Sequence, residues 1–320
     1  MREPESEALG GAQKLKRWLR PLMLVVAAAF VVATFVDLSR RWDGERLALD
    51  LPYAALAALP VLAGVLIQAL AWILLAERMA GKTTPRVRAL ALYLDSQLAR
   101  YTPGKVGLPL VRMEGAPALG LARRLVGASV LIEMLSWTAT GAVVGFLLLA
   151  TLGSQTTGIA GLAGRWAWPL LLASGAGLVA LVAIDRRHLP ERGRALLGLA
   201  GSGPIAPLRL PALQLAYWAT WAVHGYVLTL ALGASSREAL GTMAFAPLAN
   251  VLGFVALAAP AGVGVREAVF IAGLSPVVGG PSAVAGAVLG RLLSLIADVG
   301  VWLVVRACLR RSDVPAQREP

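Results

Sequence analysis

Residues 89–120 read ALALYLDSQLARYTPGKVGLPLVRMEGAPALG, an apolar run interrupted at its centre by Tyr101-Thr102-Pro103-Gly104-Lys105-Val106-Gly107. Residues 240–274 read LGTMAFAPLANVLGFVALAAPAGVGVREAVFIAGL and are interrupted in the same way by Ala259-Pro260-Ala261-Gly262-Val263-Gly264. Proline removes a backbone donor and glycine weakens a helix, so each run should break at that point. Ala89–Arg100 would make a helix only ~18 Å long, too short for ~30 Å of hydrocarbon. The two runs therefore predict re-entrant hairpins, each made of two half-helices. Broken backbone at membrane depth is tolerated only where protein or a wet cavity covers it.

The rest of the chain supports a bilayer as solvent. Of 320 residues, 58% are hydrophobic and 15% charged, with mean hydropathy +0.70. That is more apolar surface than a soluble fold of this length can hide. One cysteine, Cys308, and two histidines point away from a disulfide scaffold and from a zinc site. Six further apolar stretches read as full spans: Pro21–Leu38, Pro52–Ala76, Leu125–Leu149, Ala167–Ile184, Ala212–Leu232 and Ala283–Val305. The first follows a basic segment with no small-residue cleavage site, so it reads as an uncleaved anchor.

Net charge is +12, and its placement orients the chain. With the N-terminus inside, the segments 1–20, 77–88, 100–124, 185–211 and 306–320 hold 23 Lys and Arg. The outer segments hold 6, and Arg291 lies within a span. This bias predicts cytoplasmic N- and C-termini, basic loops against anionic headgroups, and a place in the cell inner membrane. Nucleic acid is not the expected partner.

The chain reads as one transmembrane domain in two halves, 1–165 and 166–320, each ordered span, span, broken hairpin, span. Pro103-Gly-Lys-Val-Gly107 corresponds to Pro260-Ala-Gly-Val-Gly264. Glu133 lies 26 residues after Gly107, and Arg291 lies 27 after Gly264. Three full spans per half is an odd number, so the second half enters the bilayer from the opposite side. That is the inverted-repeat plan of secondary transporters, with a site where broken helices meet.

Charge in hydrocarbon is costly, about 2.5–3.5 kcal/mol per residue at a helix centre on insertion scales. Asp95, Arg100, Lys105, Arg112, Glu114, Glu133, Arg266, Glu267, Arg291 and Asp298 therefore each need a partner or a task. Lys105 sits in the first break and Arg112 lies further along the following half-helix, where free amides already favour an anion. Arg266 is unfavourable at a helix start and needs a counter-ion, from Glu133 or Glu267. Glu267 suits a first turn by itself. Arg291, Ser294 and Asp298 share one helix face, as do Ser129, Glu133, Ser136, Trp137 and Thr140. The simplest expectation is a buried network, such as Glu133 with Arg291. His224 reads as a neutral packing residue. No P-loop, GxSxG, HExxH or paired-aspartate metal motif is present in the sequence, so neither a cofactor nor a metal is expected.

The order Arg100-Tyr-Thr-Pro-Gly-Lys-Val-Gly107, Arg112, Glu133, Pro260-Ala-Gly-Val-Gly-Val-Arg-Glu267, Arg291 resembles the flippase-like transmembrane family, to which the N-terminal region of lysylphosphatidylglycerol synthases belongs. The resemblance covers roughly residues 15–308. It implies a multi-spanning fold with two re-entrant hairpins and movement of a lipid or lipid-linked intermediate between leaflets. Arg112, Glu133, Glu267 and Arg291 match polar positions of its motifs. One departure is Met134, where members often carry arginine after the glutamate. No aminoacyltransferase region accompanies the motifs, so lysine transfer is not expected.

The sequence thus predicts an all-α polytopic membrane protein that moves a phospholipid or polyprenyl-phosphate-type lipid. Lys105, Arg112, Arg266 and Arg291 would hold the headgroup, while Glu133, Glu267 and Asp298 would balance the charge. The alternatives are an integral-membrane lipid-modifying enzyme, with Glu133 or Asp298 as base, and a non-catalytic subunit of a lipid pathway.

Overall fold

A computed structural model describes residues 49–99, 106–152, 159–197, 199, 203–205, 208–256, 262 and 264–312. The predicted span Pro21–Leu38 and both predicted breaks, apart from Val106, Gly107, Gly262 and Gly264, lie outside the described residues, as do Arg100 and Lys105. Among the described residues the secondary structure is helical, apart from one isolated bridge between Asp185 and Pro204.

The chain enters at α1 (Leu51–Leu56), capped by Asp50, whose carboxylate accepts from the Tyr53 amide at 3.2 Å. α2 (Ala58–Ala80) follows almost without a break and ends on Gly81, whose φ of +67° gives the left-handed turn that a helix C-terminus favours. Glu77 then accepts from the amide and hydroxyl of Thr84 at 2.8 and 3.0 Å, fixing the turn into α3 (Arg86–Ala99). After the first break come α4 (Gly107–Gly115), a short 3-10 turn at Ala116–Leu119, and the long α5 (Arg123–Leu152). Then follow α6 (Ile159–Ala183), α7 (Glu191–Leu197), α8 (Arg209–Ala231), α9 (Ser236–Thr242) and α10 (Phe245–Val255). After the second break come α11 (Val265–Val278) and α12 (Gly280–Ser312).

Five helical stretches are long and apolar enough to cross a membrane: Leu51–Ala80, Arg123–Leu152, Arg165–Ala183, Ser236–Val255 and Gly280–Leu309. Four of them coincide with predicted spans. The fifth, Ser236–Val255, overlaps the run predicted as the second hairpin. Ala212–Leu232 does form a helix, α8, but Gln214, Tyr217, Trp218, Thr220, Trp221 and His224 make it too polar to qualify. It runs through the middle of the bundle, with most of its side chains buried against α2, α5 and α12, so it need not match lipid. Ser236–Val255 qualifies instead because α9 and α10 stack nearly end to end across a turn at Met243–Ala244. Exposed Leu131, Leu135, Leu172, Val179, Ile296 and Val304 give the outside of the bundle an apolar coat, which suits hydrocarbon.

Each break is flanked by two helices folded back on one another. Gly115 faces Leu92 and Arg112 reaches Ser96, so α4 runs antiparallel along α3. Gly273 faces Phe245 and Gly253 faces Arg266, so α11 runs antiparallel along α10.

The packing has an exchange symmetry. If α2, α3, α4 and α5 are replaced by α8, α10, α11 and α12, the contacts map onto each other: α2 on α12 with α8 on α5, α3 on α12 with α10 on α5, and α2 on α3 with α8 on α10. The exchanged helices run in opposite directions. Asp50 donates its amide to the Ala231 carbonyl and Gly64 faces Thr220, so α2 and α8 are antiparallel. Gln68 meets Glu133 and Trp72 meets Ser129, which sets α5 against α2. Gly286 meets Leu232 and Gly290 meets Leu228, which sets α12 against α8. With α2 opposed to both α5 and α8, and α12 opposed to α8, α5 and α12 are also opposed.

Small residues permit these close crossings, since helix association in lipid rests on van der Waals packing. A β-carbon on Gly141 would lie 2.4 Å from the Trp218 ring, and one on Gly273 2.0 Å from Phe245. Gly141→Val and Gly273→Val should each lower the thermal midpoint in detergent by an amount equivalent to about 1–3 kcal/mol, the usual cost of overpacking. Gly175→Ala, where nothing lies within 4 Å, should leave it unchanged or slightly raised.

Candidate functional site: a charged cavity between two helical hairpins

The site grows from the polar face of α5. Its Ser129, Glu133, Ser136 and Thr140 are all buried, as the shared helix face predicted. Glu133 pairs with Arg112, which α4 carries inward from the first hairpin. Arg112 is only 1% exposed. Its Nε donates to Ser96 Oγ at 2.7 Å, and its guanidinium carbon lies 4.6 Å from the Trp72 ring centre and 4.5 Å from that of Tyr93. The second Glu133 oxygen accepts from Gln68 Nε2 at 3.0 Å. Gln214 closes the layer, donating to the Glu133 carbonyl at 3.2 Å and accepting from Ser136.

The second hairpin builds the opposing wall. Gly264 has φ +82° and donates its amide to Glu267 Oε2 at 2.8 Å, so Glu267 caps α11 as its place in the first turn suggested. Its other oxygen faces Arg291 Nη1 of α12 at 3.5 Å. Arg266 lies with its guanidinium carbon 5.0 Å from the Trp221 ring centre and Nη2 3.4 Å from Ser294 Oγ. The expected pairing of Glu133 with Arg291 is thus corrected. Each glutamate takes the arginine of its own half, because α4 and α11 are folded against α5 and α12 respectively. The paired groups exchange places between halves: α4 supplies the cation of the first pair and α11 the anion of the second, with Arg266 beside it on the same helix.

Between the walls lies a partly open cavity with about 130 Å³ of water-accessible space. Arg112, Glu133, Arg266 and Arg291 line it, together with the rings of Tyr93, Trp137, Tyr217 and Phe254. A smaller cavity, with about 20 Å³ of water-accessible space, continues past Arg266 and Arg291 to Glu267 and His224. His224 is buried, with Nδ1 2.8 Å from the Ala57 carbonyl, a packing role as expected. Asp298 is buried on the same α12 face as Arg291 and Ser294 but lines neither cavity. Asp95 lies apart, paired with Arg306 and accepting from Trp302 Nε1 at 2.8 Å. Lys105, a predicted headgroup ligand, is outside the described residues.

The sequence reading passed over Gln68, Gln97 and Asn250, whose side chains line the large cavity. A signal for two of them was present. Gln68 is the one carboxamide in Pro52–Ala76, and Asn250 the one in α10; a lone amide in an apolar helix normally turns to a polar interior.

No protein-family model matches this chain, and no curated protein matches it. Fold and site alone therefore define its class: a helical protein of multi-pass membrane type with charge enclosed in its core.

Removing one member of a buried ion pair strands the other, at a typical cost of about 3–5 kcal/mol. Arg112→Met should therefore destabilise the protein strongly in a detergent melt. The double variant Arg112→Met/Glu133→Met, which removes both charges, should recover most of the loss. A double variant no more stable than the single one would contradict the pairing.

Proposed function

We propose that this protein moves a phosphate-bearing lipid between the leaflets of the cell inner membrane, with both termini cytoplasmic. In this reading the two hairpins are re-entrant, enter from opposite faces as an inverted repeat, and meet at the large cavity. The observation that carries the proposal is the cavity lining: three arginines and one glutamate, between two folded-back helix pairs, in a bundle otherwise coated with apolar side chains. Charge kept at such depth is a functional signature.

The arginines supply the chemistry. A guanidinium binds phosphate through two parallel N–H donors. Arg112 spends Nε on Ser96 and Nη1 on Glu133, and a guest phosphate would compete with Glu133 for the guanidinium. Arg266 and Arg291 face it from the other wall, and Lys105 belongs to the same set. In the empty state Glu133 and Glu267 hold their arginines, with Asp298 balancing charge nearby. An arriving headgroup trades one buried ion pair for another, so the barrier excludes the full cost of baring a charge in low dielectric. The acyl or prenyl tail stays in lipid outside the bundle.

Proteoliposomes containing a leaflet-selective fluorescent phospholipid or labelled undecaprenyl phosphate test this. The protein should speed exchange over empty vesicles for at least one lipid. Arg291→Gln should slow it about tenfold or more, the equivalent of ~1.4 kcal/mol in the barrier, whereas Cys308→Ser, at an exposed site, should not change it. Exchange no faster than in empty vesicles across both lipid classes would sink the proposal.

A further inference from the structure

The cavity carries more recognition chemistry than a bare phosphate can use. From its lining we infer that the headgroup is hydroxyl-rich as well as phosphorylated: a glycosyl or polyol phosphate on a lipid. This rests on the transport reading above only for the lipid tail; the headgroup chemistry is argued from the cavity itself.

Three observations point the same way. First, the lining offers acceptors that need donors. Gln68 gives its amide to Glu133, and its Oε1 is buried with no hydrogen-bond partner among the described residues. Asn250 gives Nδ2 to the Ala246 carbonyl at 2.8 Å, which leaves Oδ1 as its accepting atom. An ionised phosphate presents only acceptors and meets these oxygens unfavourably, whereas hydroxyls donate and accept and satisfy both.

Second, the cavity is walled by aromatic rings. Trp137 lines it, its ring 5.2 Å from Phe254 and 6.1 Å from Tyr217. Aromatic faces favour a guest with an apolar surface of its own. A sugar ring has such a surface in its C–H faces, and a phosphate has none.

Third, the charge balance rejects the other donor-rich headgroup. Ammonium would also satisfy the amide oxygens, but among the described residues the two cavities hold three arginines against two glutamates. A cationic amine enters against a net positive wall, whereas a phosphate with neutral hydroxyls enters with it.

The test is binding, so it does not depend on transport. The full chain is purified in a detergent without sugar or phosphate and titrated calorimetrically. The probes are a ten-carbon prenyl phosphate, its hexosyl phosphate counterpart, a decyl hexoside, soluble hexose 1-phosphate and a short-chain phosphatidylethanolamine. The hexosyl phosphate lipid should bind about tenfold or more tighter than either the bare prenyl phosphate or the hexoside. Asn250→Ala should erase the advantage of the sugar while keeping the bare-phosphate affinity within about twofold, a level that also reports an intact fold. Equal affinity with and without the sugar would overturn the inference. So would an advantage that survives in Asn250→Ala, or tighter binding of the ethanolamine lipid. If the sugar preference appears but vesicles show no exchange, the transport reading fails and the headgroup assignment stands. If soluble hexose 1-phosphate binds as tightly as its lipid form, the headgroup assignment again stands and the lipid part of the transport reading falls.

Discussion

Everything in this bundle is arranged around the expense of keeping ions away from water. The Arg112–Glu133 pair is the clearest case. Both residues are almost wholly buried, and their mutual attraction alone would not offset the lost hydration of two charges. The surrounding structure makes up the difference: Ser96 and Gln68 take part of the hydrogen bonding, Trp72 and Tyr93 flank the guanidinium, and Gln214 engages the glutamate's own carbonyl. Those groups come from α2, α3 and α8. One ion pair thus needs five helices in register, α4 and α5 included, and the packing of the first half can be read as the means of holding it.

The second half meets the same constraint differently. Its pair, Arg291–Glu267, is wider, and Glu267 also serves as the cap of α11. The third arginine, Arg266, is held against an indole ring and a serine hydroxyl. A helix start is a poor place for a cation, so its position there marks a residue retained for something other than helix stability.

Much of this was legible in the sequence because polar residues are so rare in it. Where nearly every position is apolar, the spacing of Ser129, Glu133, Ser136 and Thr140 stands out and fixes a buried face; Arg291, Ser294 and Asp298 do the same on α12. Proline and glycine marked two places where the chain should break, and the two helices of a folded-back pair lie on either side of each. What escaped was partner choice. Spacing along one helix says which face is polar, but which arginine meets Glu133 depends on how α4 lies against α5, a matter of three-dimensional packing. α8 shows a related limit of hydropathy. Hydropathy measures fitness for lipid, and a helix enclosed by its neighbours is released from that requirement; the adjoining α9–α10 stretch, more apolar, satisfies the criterion instead. Gln68 and Asn250 were visible as lone amides but carry no charge, so a search for ions passed over them.

The exchange symmetry of the packing has a mechanical consequence. A scaffold that maps onto itself when its halves are swapped has two deformations related by that swap, and its helix contacts alone favour neither. The side chains break that tie. α4 brings the cation of one pair, Arg112, to Glu133 of α5, whereas α11 brings the anion of the other, Glu267, to Arg291 of α12 and carries Arg266 beside it. Displacing α4 would part a cation from its partner, while displacing α11 would shift a cation and an anion together. The two deformations therefore leave different charge in the core, although the backbone treats them alike.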